Sequence, residues 1–68
     1  MLPMKSMLQS AIKIKTVKNA LYEGVLTRIN EKRNQFHLKE VCICYKDGSY
    51  KARAKRRWFN AGSIVQIT

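Results

Sequence analysis

Acidic residues are scarce in this chain. Glu23, Glu31, Glu40 and Asp47 stand against 14 Lys and Arg in 68 residues, a formal excess of ten positive charges. The four acids are scattered, so no pair is placed to share general acid–base work. A thiol nucleophile would have to be Cys42 or Cys44 with His37, the only histidine, as base, and nothing in the spacing favours that. With three glycines there is no Gly-rich phosphate loop. The chain reads as a non-enzyme without a cofactor. Metal binding is also not expected. Cys42 and Cys44 share one face of a strand, His37 falls on the opposite parity, and four good ligands cannot be counted. The same placement of the two cysteines is poor geometry for a disulfide. They read as small buried or half-buried thiols of an intracellular protein, cytoplasmic by expectation with the nucleus as the alternative.

Long apolar runs are missing too. None approaches the roughly 20 residues that span a bilayer, and none forms the apolar core of a secretory signal. Membrane association is therefore not expected. No acid precedes Glu23, and Lys5, Lys13, Lys15 and Lys18 lie among serines, which faintly resembles an organellar presequence. That stretch has no Arg, however, and Ile12 to Thr16 already reads as a strand.

What remains is a short chain that is 46% hydrophobic, with one Trp, three Tyr and two Phe, too apolar for a disordered polycation. Residues 1–68 make a single domain near the lower size limit for a self-sufficient core. Ile12-Lys13-Ile14-Lys15 and Tyr50-Lys51-Ala52-Arg53-Ala54-Lys55 alternate strictly. Strands built from either are expected to turn an oily face inward and to add lysines and arginines to a continuous outer cationic belt.

The only proline, Pro3, suits the first turn of a helix. With Met4, Met7 and Leu8 at helical spacing, residues 3–10 are expected to form a short helix packed on the end of the sheet. Residues 11–68 then read as strands. They run from Ala11 to Val17, from Leu21 to Asn30 and from Gln35 to Lys46, then from Ser49 to Phe59 and from Ser63 to Thr68. The turns between them carry Lys18-Asn19-Ala20, Glu31 to Asn34, Asp47-Gly48 and Asn60-Ala61-Gly62. Gly24 inside the second strand marks a bend or a close backbone approach. Phe36 and Leu38 face one way and Val41 and Ile43 the other, which places a bulge near Lys39-Glu40. The expected fold class is all-β, a small, strongly bent five-stranded barrel with a short N-terminal helix.

Several pieces, in order, resemble the Sm/LSm family. They are Val17-Lys18-Asn19, Tyr22-Glu23-Gly24-Val25-Leu26, the Phe36-x-Leu38-x-x-Val41 strand, and Phe59-Asn60-Ala61-Gly62-Ser63-Ile64-Val65-x-Ile67. The resemblance covers residues 4 to 68 and is closest to the divergent LSm domains of mRNP and decapping proteins. It implies a short helix before a strongly bent five-stranded sheet, and a role in RNA binding and mRNA processing. In ring-forming members an Asp and an Asn after the second strand and an Arg-Gly pair before the last hold a uridine. Here Asn30 stands at the Asp position, Asn34 is kept, and Asn60-Ala61 replaces Arg-Gly. That shifts the expected RNA contact from a uridine pocket to the basic surface.

The densest basic stretch is Lys51, Arg53, Lys55, Arg56 and Arg57, followed by Trp58 and Phe59. It reads as a phosphate-tracking strip with an aromatic platform. Phe59 is expected in the core, and Trp58 fits core and platform equally. Arg28, Lys32 and Arg33 form a second cluster at a turn, where solvated residues are the simpler account. Lys13 and Lys15 either extend the strip or protect an edge strand. His37 receives no role. The expected function is thus RNA binding within a ribonucleoprotein or mRNP assembly, with protein partners and a homo- or hetero-oligomeric state. Two alternatives stand beside it. One is a protein-docking scaffold in mRNA decapping that uses the apolar edge Ile64, Val65 and Ile67. The other is an oligonucleotide-binding fold similar to initiation factor one, bound to a ribosome, suggested by Cys44 to Asp47-Gly48, Lys55-Arg56-Arg57-Trp58-Phe59-Asn60 and Ile64-Val65.

Overall fold

In a computed structural model, described for residues 1–44 and 47–68 and for their side chains other than those of 50–54, the chain is all-β. Five antiparallel strands form one sheet: β1 (Ala11–Thr16), β2 (Leu21–Asn30), β3 (Gln35–Cys44), β4 (Tyr50–Asn60) and β5 (Ile64–Ile67). Their spatial order is β4-β3-β2-β1-β5. Consecutive strands are neighbours from β1 to β4, and β5 returns to lie antiparallel to β1. No pairing joins β4 to β5 among the described residues, so the sheet stays open where a closed or nearly closed barrel was expected. Tyr45 and Lys46, assigned by sequence to the third strand, lie outside the described residues.

Apolar alternation drives the assembly. Ile12 and Ile14 of β1, Leu26 of β2, Phe36, Leu38 and Val41 of β3, Phe59 of β4 and Ile64 of β5 form one buried cluster. Phe36 and Phe59 are register partners and stack at 5.6 Å between ring centroids, while Tyr22 meets Phe59 edge-on at 5.3 Å. Turn chemistry sets the connections. Asn19, at φ 70°, closes the first hairpin, and Ala20 N–H donates to Thr16 Oγ1. Asn34, at φ 55°, closes the second, where Arg33 N–H donates to Asn30 Oδ1. Asn tolerates this left-handed conformation better than most residues. Asp47 Oδ1 accepts from both the backbone and the hydroxyl of Ser49. These bonds hold its carboxyl below the usual carboxylate range.

The bulge expected near Lys39-Glu40 is present. Glu40 has φ 53°, and the β3–β4 register slips between Leu38 and Val41. The slip lets Phe36, Leu38 and Val41 all reach the core despite their change of parity. Gly24 lies at the same place on the neighbouring strand. A Cβ there would sit 2.9 Å from Lys39 O and 3.1 Å from Leu38 Cβ, so the bend requires the missing side chain.

The N-terminal helix is shorter than expected. Only Lys5–Met7 form a 3-10 turn, without a side-chain N-cap. Gln9, at φ 68°, then gives its N–H to Leu26 O, and Leu26 N–H returns to Ser10 O. Pairing with β2 takes the backbone groups that further helix would have used. Leu2 and Met7 pack against the core, whereas Met4 and Leu8 stay exposed. β1 is an interior strand, flanked by β2 and β5, so Lys13 and Lys15 do not protect a sheet edge.

Gly24→Ala is expected to cost about 1–3 kcal/mol through overpacking against backbone. At roughly 4–8 °C per kcal/mol, thermal unfolding should resolve the loss. Gly62→Ala, whose added Cβ meets nothing within 4 Å, should leave the melting temperature unchanged. Equal behaviour of the two variants would refute the close-approach account.

Candidate nucleic-acid interface

The Phe36–Phe59 pairing sets what faces outward. In a strand successive side chains point to opposite faces, so the next register pair, His37 and Trp58, lies on the outer face. Trp58 is 44% exposed and Phe59 is 4% exposed. This decides for the outer surface where the sequence left Trp58 open. The imidazole of His37 meets the indole edge-on at 5.1 Å. Arg28 of β2 is the register partner of His37 on the other side. Thr27, Arg28, His37, Lys39, Arg56 and Trp58 line a shallow groove of about 360 Å³. That lies within the range of about 300–1,000 Å³ typical of small-ligand sites. Trp58 and Arg28 also wall a second depression that includes Lys32 and Lys5.

The groove is strongly cationic. None of its lining residues is acidic, and among the described residues Arg28, Lys32, Lys39 and Arg56 make no salt bridge. Lys5 pairs with Glu31 at 3.3 Å, but both side chains are well exposed and such a pair contributes little. His37 registers the local field. Its pKa is lowered from 6.5 by partial burial first, then by the charges of Arg28 and Arg56. Thr27 Oγ1 lies 2.6 Å from His37 Nδ1 and also donates to His37 O at 3.2 Å, which fixes the ring.

The structure divides the other residues expected at the site. Lys55 and Arg57 do not join the outer belt, because they share the parity of Phe59 and lie on the core side of β4. Their register partners there are the buried Val41 and Leu38. Arg57 caps the open end of the core instead. Its guanidinium lies 4.8 Å from the Phe59 ring centroid and 5.0 Å from that of Tyr22, and it donates to Tyr22 Oη at 3.2 Å. Lys13 and Lys15 face outward on β1 as expected, but they line a separate depression with Leu21 and Gln66. Lys13 is directly opposite Glu23. Arg33 and Asn34 line neither cationic depression, and the Asn34 carbonyl accepts the Ala61 N–H across the two turns. Lys51 and Arg53 belong to β4, but their side chains lie outside the described residues. Among the described residues the cations therefore group into a compact cluster and outlying charges.

Thr27, His37 and Lys39 were not anticipated in the cluster. His37 and Lys39 alternate with Phe36 and Leu38, so their outward direction was readable. Their convergence on Trp58 needed the β3–β4 register. A comparison with protein-family models finds no match, and neither does a comparison with curated proteins.

A titration of the His37 ring by NMR should give a pKa below 6.5, and Arg28→Gln should raise it. Because the unfolded chain holds the His37 proton more tightly than the folded one, this residue's contribution to stability is present above the unfolded pKa. It is lost as pH falls through the His range toward the folded pKa. Urea unfolding between about pH 5 and pH 7 should show stability rising with pH, with a smaller rise in His37→Gln. An unchanged slope in that variant would remove His37 as the cause.

Proposed function

We propose that the protein is an RNA-binding, Sm-like module of a ribonucleoprotein or mRNP assembly, holding single-stranded RNA in the outer-face groove. The observation that carries this reading is the exposed Trp58 ring set among Arg28, Lys39 and Arg56 with no acid on the groove wall. Guanidinium groups bind phosphate in bidentate fashion, and an exposed indole offers a stacking face to an unpaired base. The mixture suits a strand whose charge and rings alternate along its length. Protein partners, oligomerisation and a part in mRNA processing belong to the same proposal.

Support for an Sm-like sheet comes from the short helical turn ahead of five antiparallel strands. The strand order weighs against the oligonucleotide-binding alternative, a Greek-key barrel. In a Greek key the fourth strand returns beside the first, whereas here β4 stays beside β3. The scaffold alternative relied on an apolar edge of Ile64, Val65 and Ile67. Ile64 is in the core and Ile67 packs against it, which leaves Val65 as the exposed member.

Binding of a single-stranded oligouridylate of about eight nucleotides, followed by fluorescence anisotropy, tests the proposal. If Arg28, Lys32, Lys39 and Arg56 each neutralise a phosphate, log K should fall against log salt with a slope of roughly −3. Arg56→Gln should reduce that slope by about 0.7, and Lys13→Gln should leave it nearly unchanged. Trp58→Ala should cost about 1–3 kcal/mol of binding. Affinity that is flat across the salt titration would overturn the reading.

A further inference from the structure

Within the groove, His37 is the only side chain whose charge can change near neutral pH. Its two ring nitrogens are not equivalent. The Thr27 hydroxyl carries one proton and stands within reach of two groups of His37, the carbonyl oxygen at 3.2 Å and Nδ1 at 2.6 Å. Both contacts are satisfied together when the hydroxyl donates to the carbonyl and Nδ1–H donates to the hydroxyl oxygen. In the neutral ring this leaves the lone pair on Nε2, which has no partner among the described residues. A lone pair in a cationic groove repels a phosphate oxygen, whereas an Nε2–H attracts one.

Building on the RNA-binding reading, we propose that His37 is a phosphate ligand of the groove. Protonated Nε2 donates to a phosphodiester oxygen held by Arg28 and Arg56 while the adjoining base stacks on Trp58, so RNA enters together with a proton. The charged groups facing His37 all have one sign: Arg28 on β2, Lys39 on β3 itself and Arg56 on β4. In the free protein partial burial, and after it the charges of Arg28 and Arg56, disfavour the protonated ring. A bound phosphate cancels their field and adds an acceptor, so both changes favour the imidazolium. The balance is simple. One proton passes from solvent to Nε2 for each occupied groove, and no covalent bond forms or breaks. By linkage, affinity rises as pH falls through the interval between the free and bound pKa values.

Isothermal titration calorimetry of the full chain with the oligouridylate, in buffers of differing ionisation enthalpy, reads this directly. Neither phosphodiesters nor uracil exchanges a proton near neutrality, so uptake reports on the protein. The expected result is net proton uptake approaching one per groove, with affinity strengthening by up to about tenfold per pH unit on going from pH 7 to 6. His37→Gln should abolish most of the uptake and flatten the pH profile while keeping the salt dependence. Thr27→Val keeps the ring but removes its hydroxyl partner, and should weaken binding more at pH 6 than at pH 8. Salt-dependent binding without proton uptake, or uptake that persists in His37→Gln, would overturn the role of His37 and leave the RNA reading intact. Absence of oligouridylate binding at every pH would overturn both.

Discussion

The stacking of Phe36 on Phe59 across β3 and β4 governs the rest of the molecule. It fixes the register of the longest strand pair, and register in a sheet decides which face every neighbouring side chain occupies. A slip of β4 by one residue would bury Trp58 and expel Phe59 from the core, leaving Phe36 without its stacking partner. The outer groove is therefore a by-product of core packing. Two aromatic rings that must avoid water place an indole and an imidazole back to back with them. The rigidity of the core passes to a site assembled from three strands.

Gly24 and Glu40 supply the second constraint. An uninterrupted β3 could not present Phe36, Leu38 and Val41 to one side, because the interval between Leu38 and Val41 breaks the two-residue period. The left-handed turn at Glu40 absorbs the odd residue, and the absent side chain at Gly24 lets β2 follow the bend. A polar residue carries the positive φ at an exposed position, where its side chain stays in water. Together they carry Lys39 on the bulge beside the groove, and so the bend that closes the core also contributes a cation to the outer face.

Much of this architecture was legible in the residues. Alternation in Ile12-Lys13-Ile14-Lys15 gave β1 its two faces, the Asp47-Gly48 and Asn34 signals marked turns, and the parity change in β3 located the bulge. Met4, Met7 and Leu8 satisfy helical spacing over too few residues to hold a helix beyond the turn Lys5–Met7. Tertiary pairing of Gln9 and Ser10 with Leu26 then prevails over a marginal local preference. The site was legible in part. Arg28, Arg56 and Trp58 stand out in the sequence, yet the run 55–57 reads there as one strip, whereas its parity relative to Phe59 divides it. Arg57 became a cover for the rings of Tyr22 and Phe59, a use of guanidinium that charge counting does not reveal. Convergence of His37, Lys39 and Thr27 depends on pairing between distant segments, and a single sequence does not state it.

The scarcity of internal ion pairs around the groove has a thermodynamic consequence for the whole domain. Cations held close together on a small body repel one another, and folding concentrates them more than the extended chain does. Part of the energy gained by burying the core is spent against that repulsion. Any polyanion that settles on the outer face relieves it, so occupancy and folding reinforce each other. A polyanion there would act as a missing set of acidic side chains, supplied from outside.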